Sequence, residues 1–582
     1  MESRMPNLGT WSIRDASQGQ RGRVFSRPLG VTELCFFWAG EFSGTADTIQ
    51  QAELQATSAE VFSATNVRRA WISLKQTFPL LGSRAERGIG TKDVLFVVEE
   101  ARLSEVATKE IHHRAVTSAN DVSSIIDELI QGPRQLASDL PARLYILNRK
   151  DSSDRFHILL HVAHLITDGL ANATVLRVFL DYLTSPPFKQ APNLESRLGM
   201  AMATESLHPS LALSVPRQRW RRAIAWVLTG IKMQKTQAGN ITKQIIANCR
   251  LHKVTFGNAL LVCGQVALSR VLHRQYALGN LSRDEWMRRR KEPYHVGGPL
   301  NIRPFLDANW FKNGGASELA LNIGIFMYSL PFLPLAGADT GPMDISDGAP
   351  SFANLLSLGR FIHRTNILQR QAEAFLKHPL FLDFVSLYIA PNLQHNKDVF
   401  EKWSEGPCVS DIGGVGAEKQ PDGSLVFAHG GSSMGNMDLL LPCRYPLAPN
   451  HPWSSQPKDH TEPPLAKSDS FSASGIVHLV SSDLRLRCRP GEIYLGASTS
   501  NGKLHLKFFW DGNVFNDEIV KEWLAEVKSA ILWYLADDVA FKPIPVLPVY
   551  PRPSHTWAAR PIFIILFVLS AIISLTYHIY LS

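Results

Sequence analysis

The sequence predicts an α/β fold of two α/β halves, followed by a single C-terminal transmembrane helix. Two observations predict the halves. Strand-like and helix-like segments alternate over residues 26–184 and again over 246–540, and residues 185–245 read as the crossover between them. A third observation predicts the helix: Pro561–Ser582, PIFIILFVLSAIISLTYHIYLS, holds no Lys, Arg, Asp or Glu. With 582 residues the chain can hold more than one domain-sized core. Hydrophobic and charged contents of 45% and 19% suit a folded globular protein and exclude a disordered one.

Residues 1–25 are polar and charged and read as a flexible N-terminus without a secretory signal. Arg27-Pro-Leu-Gly-Val-Thr-Glu33 then leads into Leu34-Cys-Phe-Phe-Trp38, whose aromatic run predicts a strand. Trp71, Leu74 and Phe78 share one face of a helix that Pro79 ends. Val94–Glu99 and Ala142–Leu147 read as strands, with a helix over Val122–Ile130 between them.

Arg155–Leu183 is the centre of the first half. Its opening residues alternate as a buried strand ending near Ala163, and Leu176, Phe179, Leu180 and Leu183 mark a helix face. Between them lies His164-Leu-Ile-Thr-Asp168-Gly169. A neutral imidazole there could take a proton from a hydroxyl or amine attacking a carbonyl. Asp168 could hold the other ring nitrogen, or point away and lock the turn through a buried arginine. Gly169 would let the backbone turn tightly before the helix. The structural alternative is a core histidine beside an ordinary N-cap aspartate. His161, an odd number of residues earlier, would lie on the opposite strand face.

In the second half, Thr255 is a predicted N-cap of a buried helix through Arg270. Val296–Phe305 reads as a strand ended by Pro304, and Asn322–Leu333 as another. Ala336–Pro350 is a Gly-, Asp- and Pro-rich loop, and Arg444–Gly475 a long surface insertion. Glu492–Ala497 and Lys503–Trp510 form a hairpin turning at Asn501-Gly502, followed by a helix from Asp517 to Leu535.

His164-x-x-x-Asp168-Gly169 after an apolar strand resembles the active-site motif of the chloramphenicol acetyltransferase-like superfamily. That group includes BAHD acyltransferases, fungal alcohol and trichothecene acetyltransferases, and peptide-synthetase condensation domains. The Arg27/Glu33 segment, the Pro79-Leu-Leu turn, the Val254-Thr255 helix, Asn301-x-Arg303, Ser410-x-x-Gly413 and the final hairpin and helix are similar in order. Condensation domains usually carry two adjacent histidines, whereas Ala163 fills the first position here. The Asp-Phe-Gly-Trp-Gly motif of plant BAHD enzymes is missing, which leaves the fungal acetyltransferase-like branch as the nearest fit.

The resemblance implies two halves enclosing a tunnel, with acyl-CoA (acetyl-CoA) as co-substrate on one side and an acceptor alcohol, or an amine, on the other. It implies that His164 is the general base and that Arg303 pairs with Asp168. It further offers Ser410 and Asn301 as oxyanion or tunnel residues. The rivals are a condensation-type catalyst using a carrier-bound thioester and a non-catalytic, membrane-anchored binding protein of the same fold.

A net charge of +8 favours anionic partners such as acidic lipid or the phosphates of coenzyme A. No zinc-finger spacing or aromatic RNA-binding signature points to nucleic acid. The six cysteines have no metal-ligand spacing and read as reduced thiols, and no metal is expected. Arg217–Arg222, beside Trp220 and an apolar run, suits either a membrane interface or a solvated helix face. Residues 541–560 read as a Pro-rich linker to a tail anchor. Arg552 and Arg560 place the enzyme body on the cytosolic side, with the endoplasmic reticulum as the expected membrane. Asn172-Ala-Thr174 is a glycosylation sequon beside the motif, where a glycan would obstruct the site. The membrane tail suggests a hydrophobic acceptor such as a terpenoid, sterol or long-chain alcohol.

Overall fold

The computed structural model describes residues 9–14, 22–42, 44–88, 94–186, 192–214, 216–218, 220–221, 243–333, 345–346, 348–404, 429–448, 451, 476–489 and 491–536. The chain divides into a unit of residues 1–540 and a unit of residues 541–582. The linker and the expected transmembrane helix fall in the second unit, outside the described residues; Ser410 and most of the 444–475 insertion, in the first unit, also lie outside them. Among the described residues no helix is long and apolar enough to cross a membrane.

The first helix, α1 (Val31–Glu41), corrects a sequence expectation, because Leu34–Trp38 lies in it and forms no strand. From Thr32 to Gly40 every residue except Leu34 is buried. A helix covered on all sides carries no 3.6-residue period, so its apolar run reads like a strand. Its start is set by Gly30, whose amide donates to Glu33 Oε2 at 2.8 Å. Glu33 also receives Arg27 Nη1 and Nη2 at 2.8 and 2.7 Å, and Arg27 Nε donates to the Ala201 carbonyl at 3.1 Å. Both charges are buried, and this bidentate pairing is what makes their burial tolerable.

The first half also contains β1 (Thr48–Ala56), α2 (Ala64–Thr77), β2 (Ile111–Val116), β3 (Ala142–Arg149), β4 (Arg155–Val162) and α3 (Gly169–Thr184), besides a small sheet of Ser12–Arg14, Val24–Pro28, Arg84–Arg87 and Val94–Glu99 and a helix over Ala119–Gln131. Trp71 and Leu74 of α2 are fully buried and pack with Phe179, Leu180 and Leu183 of α3 in one core. The second half supplies α4 (Phe256–Ala277), β5 (Tyr294–Asn301), β6 (Ile323–Leu330), α5 (Leu358–Leu376), α6 (Phe381–Ser404) and β7 (His429–Asn436). It continues with β8 (Arg444–Pro446), β9 (Ile476–Leu486), β10 (Ile493–Ser500), β11 (Lys503–Trp510) and α7 (Asp517–Ile531). Asn501 and Gly502, which join β10 to β11, both have positive φ, the geometry an Asn-Gly hairpin turn requires.

The first large sheet runs β8-β9-β1-β4-β3-β2, antiparallel except for the parallel pair β2 and β3. The second runs β6-β5-β7-β10-β11, with β7 parallel to both β5 and β10. Strand β9 comes from late in the sequence but lies in the first sheet, paired with β1 from Val477↔Ala56 to Leu486↔Thr48. Thr48 also pairs with Val162 at the end of β4. Hydrogen bonds from Ala46 N to Arg487 O (2.9 Å) and from Arg487 N to Asp47 O (3.0 Å) extend this alignment. The chain after β9 is thereby delivered beside the point where β4 ends.

Candidate active site

Strand β4 stops at Val162, and a short turn follows before α3. Ala163 N donates to Pro141 O at 2.8 Å, and Ile166 N closes back on Ala163 O at 3.1 Å. His164 therefore stands beyond the last paired residue. His161 lies inside the strand, buried, opposite Ile49 and Arg143. Burial, with Arg487, Arg143 and Arg134 nearby, pushes its pKa down to about 3.

Asp168 is the N-cap of α3. Its Oδ1 accepts from Leu170 N at 3.1 Å and Ala171 N at 3.0 Å. Its Oδ2 accepts from Arg303 Nη1 at 2.6 Å and from Asn322 N at 3.1 Å. Four donors thus occupy the carboxylate, and of the two roles open to Asp168 the structure shows the turn-locking one. Arg303 is itself fixed: Nη2 donates to the carbonyls of Ala320 at 2.7 Å and Glu318 at 3.3 Å. Both residues are buried. Arg303 sits in a 3-10 turn after β5, where a continued strand was expected. Asn301 causes that turn, because its Oδ1 accepts the Arg303 amide at 3.1 Å. Asn301 is exposed and serves as a turn residue for Arg303.

The His164 ring stacks on Phe36 of α1, with centroids 4.3 Å apart and planes 29° from parallel. Its Nδ1 is buried and has no hydrogen-bond partner of standard geometry. Burial pushes the imidazole pKa down to about 4. Backbone groups at His164 and Thr167 and the Asp168 charge oppose this shift, while Arg489 adds to it. The ring is thus neutral at physiological pH. The Arg489 guanidinium lies 5.2 Å from the centroid of the same Phe36 ring.

Gly169 does not bend the chain. It has no positive φ, and a Cβ there would lie 3.1 Å from Met434 Cε of β7. Asn172 is fully buried, accepts from Thr167 Oγ1 at 3.1 Å and donates to Thr48 Oγ1 at 3.1 Å. The sequon asparagine is therefore a core residue that ties the motif turn to β1. Arg221 of the basic crossover cluster pairs with Asp383 of α6 at 2.9 Å, while Trp220 is exposed.

The site thus gathers α1, the turn after β4, the turn after β5 and the segment following β9. Its overall arrangement can be set against known structures. TRI3 trichothecene 15-O-acetyltransferase from Fusarium sporotrichioides superposes with a TM-score of 0.62 at 11% identity, covering 92% of this chain and 99% of that one. The condensation domain of the monacolin K polyketide synthase MokA superposes with a TM-score of 0.50 at 10% identity, covering 88% and 98%. The chain has the chloramphenicol acetyltransferase-like fold. No family model and no curated protein sequence matches it.

Within this chloramphenicol acetyltransferase-like scaffold, the structure brings His164, Asp168, Gly169 and Arg303 together. Sequence reasoning missed Phe36, because it lay in a segment taken for a strand. It missed Arg489, because β9 follows a long insertion and its companion strand β1 lies more than 400 residues upstream. The alternation Val477, Leu479 before Arg487 and Arg489 was the available signal. Among the described residues no group of His, Cys, Asp or Glu side chains is arranged to hold a metal ion.

Proposed function

We propose that this protein is an acyl-CoA-dependent O-acyltransferase, with acetyl-CoA as the simplest donor and His164 as general base. One observation carries the reading: a half-buried, ring-stacked imidazole with an enclosed Nδ1, held neutral beside an aspartate wholly committed elsewhere. A neutral imidazole is the form that accepts a proton. With Nδ1 enclosed, Nε2 is the basic atom. It takes the proton from the acceptor hydroxyl as that oxygen attacks the thioester carbonyl. The tetrahedral oxyanion collapses, the C–S bond breaks, and the leaving thiolate recovers the proton from the imidazolium to give free coenzyme A. Acyl-CoA and acceptor would approach His164 from opposite faces between the halves. The acceptor is a hydroxyl, or an amine, on a small molecule, and the apolar C-terminal segment favours a hydrophobic one at the cytosolic face of the endoplasmic reticulum.

The likeness to a condensation domain supports a second reading, a carrier-bound thioester as donor. Ala163 in place of a first histidine weighs against it. Incubating the detergent-solubilised full chain with acetyl-CoA and a panel of alcohols, and following free thiol, tests the first reading. Replacing acetyl-CoA by an acylated carrier protein tests the second. Thiol release that persists unchanged in His164→Ala would remove His164 from the mechanism, and no release with either donor would favour a non-catalytic binding protein.

A further inference from the structure

Several arginines around the site are paired. Arg27 grips Glu33, Arg134 pairs with Asp47, Arg303 holds Asp168, and Arg487 donates to the carbonyls of Leu129 and Gly132. Arg489 lacks such a partner. It is half-buried, and among the described residues no carboxylate or carbonyl accepts from its guanidinium. Glu492, its nearest acid in sequence, spends a carboxylate oxygen on the Arg489 backbone amide at 3.0 Å. The guanidinium faces the Phe36 ring and lies within electrostatic reach of His164 and Cys35. A guanidinium presents five donors and always carries its charge, and the Arg489 nitrogens remain open to solvent, so they are free to meet an anionic group. The carboxylate of the motif, Asp168, is taken by Arg303.

We propose that Arg489 is a specificity-determining residue that binds a carboxylate carried by one of the two substrates, next to the reacting centre. This rests on the acyl-transfer reading of His164. A planar guanidinium and a carboxylate form two parallel charge-assisted hydrogen bonds, and the low polarity beside Phe36 strengthens them. The carboxylate can belong to a dicarboxylic acyl group on coenzyme A or to a hydroxy-acid acceptor. In both cases the acid itself does not react, so the bond changes described above are unaltered.

Two matched pairs of probes test this on the full chain in detergent. The first compares malonyl-CoA with acetyl-CoA against one neutral alcohol. The second compares a hydroxy acid with its methyl ester, both with acetyl-CoA. Each comparison is read as a ratio of kcat/KM and as a ratio of dissociation constants. One arm should favour the acid by about 10- to 100-fold, the contribution of a hydrogen bond to a charged group. Arg489→Met should abolish that ratio, and Arg489→Lys should keep part of it. Equal handling of acid and neutral probe in both arms, or a preference that survives in Arg489→Met, overturns the proposal. Absence of turnover with every probe counts against the acyl-transfer reading, and the binding ratios still decide the role of Arg489. Each ratio compares two probes on one preparation, so a partly misfolded variant does not distort it.

Discussion

Arg303 Nη1 meets Asp168 Oδ2 at 2.6 Å across 135 residues of chain, and the contact fixes the turn that carries His164 to the other half of the fold. The carboxylate is saturated by this donor and three backbone amides. Its function is to hold the loop, and the histidine is oriented instead by stacking on Phe36.

Asp168→Asn should therefore injure stability and activity together. The substitution removes the charge and replaces one accepting oxygen by a donor, leaving Arg303 buried and uncompensated. Breaking a buried pair from one side costs about 3–5 kcal/mol. The urea midpoint should fall accordingly, and acyl transfer should fall with it. An unchanged midpoint and unchanged turnover would show that the pair does not hold the loop.

His164→Ala should behave differently. It deletes a ring that makes one stacking contact, so the fold should persist, with only a modest shift in the urea midpoint. Loss of a general base commonly costs about 10²–10⁴-fold in rate. In the unmodified protein, kcat/KM should stay level between about pH 6 and pH 8 and fall only toward the imidazole pKa of about 4. A limb near the ordinary histidine value would mean that the ring is not held neutral by burial.

The residues that were legible in the sequence share one property: their signal is local. The strand of Arg155–Val162, the cap at Asp168 and the Asn501-Gly502 turn each need only a few neighbouring residues to be recognised. Helix α1 was hidden because burial on every side erases periodicity. Strand β9 was hidden because what makes it central is its pairing with β1 far away in the chain, and pairing partners leave no mark in either segment alone. Arg303 lies between these cases. Its residue type and place were visible, but the turn made by Asn301 was not.

Stability should decline on acidification from pH 6.5 to about 4. His164, His273 and His429 each have a folded pKa of about 4, below the ordinary 6.5. Across that window the unfolded chain binds more protons, so stability present above pH 6.5 is lost as pH falls. Asp47 acts in the opposite sense, because burial raises its pKa from 3.8 to about 6. The folded state then binds the extra proton, and Asp47 adds stability as pH falls from about 6 to 3.8. Urea midpoints measured across this range should fall, and Asp47→Asn should make the fall steeper. A midpoint independent of pH, or a shallower fall in the variant, would contradict these assignments.

Two glycines that look alike in the sequence should respond differently to alanine. At Gly169 a Cβ meets only the terminal methyl of Met434 at 3.1 Å, a flexible tip that can move aside. Gly169→Ala should cost about 1 kcal/mol or less and leave acyl transfer nearly intact. At Gly298 of β5 a Cβ would lie 1.7 Å from the carbonyl oxygen of Gly431 on β7. That oxygen is backbone, next to the paired residues Gly297 and Gly430, and it cannot retreat without parting the two strands. Gly298→Ala should therefore cost about 3 kcal/mol or more, seen as a large drop in urea midpoint or in soluble yield. If the order were reversed, with Gly169→Ala abolishing activity at unchanged stability, the motif glycine would have a role in the reaction that its backbone geometry does not reveal.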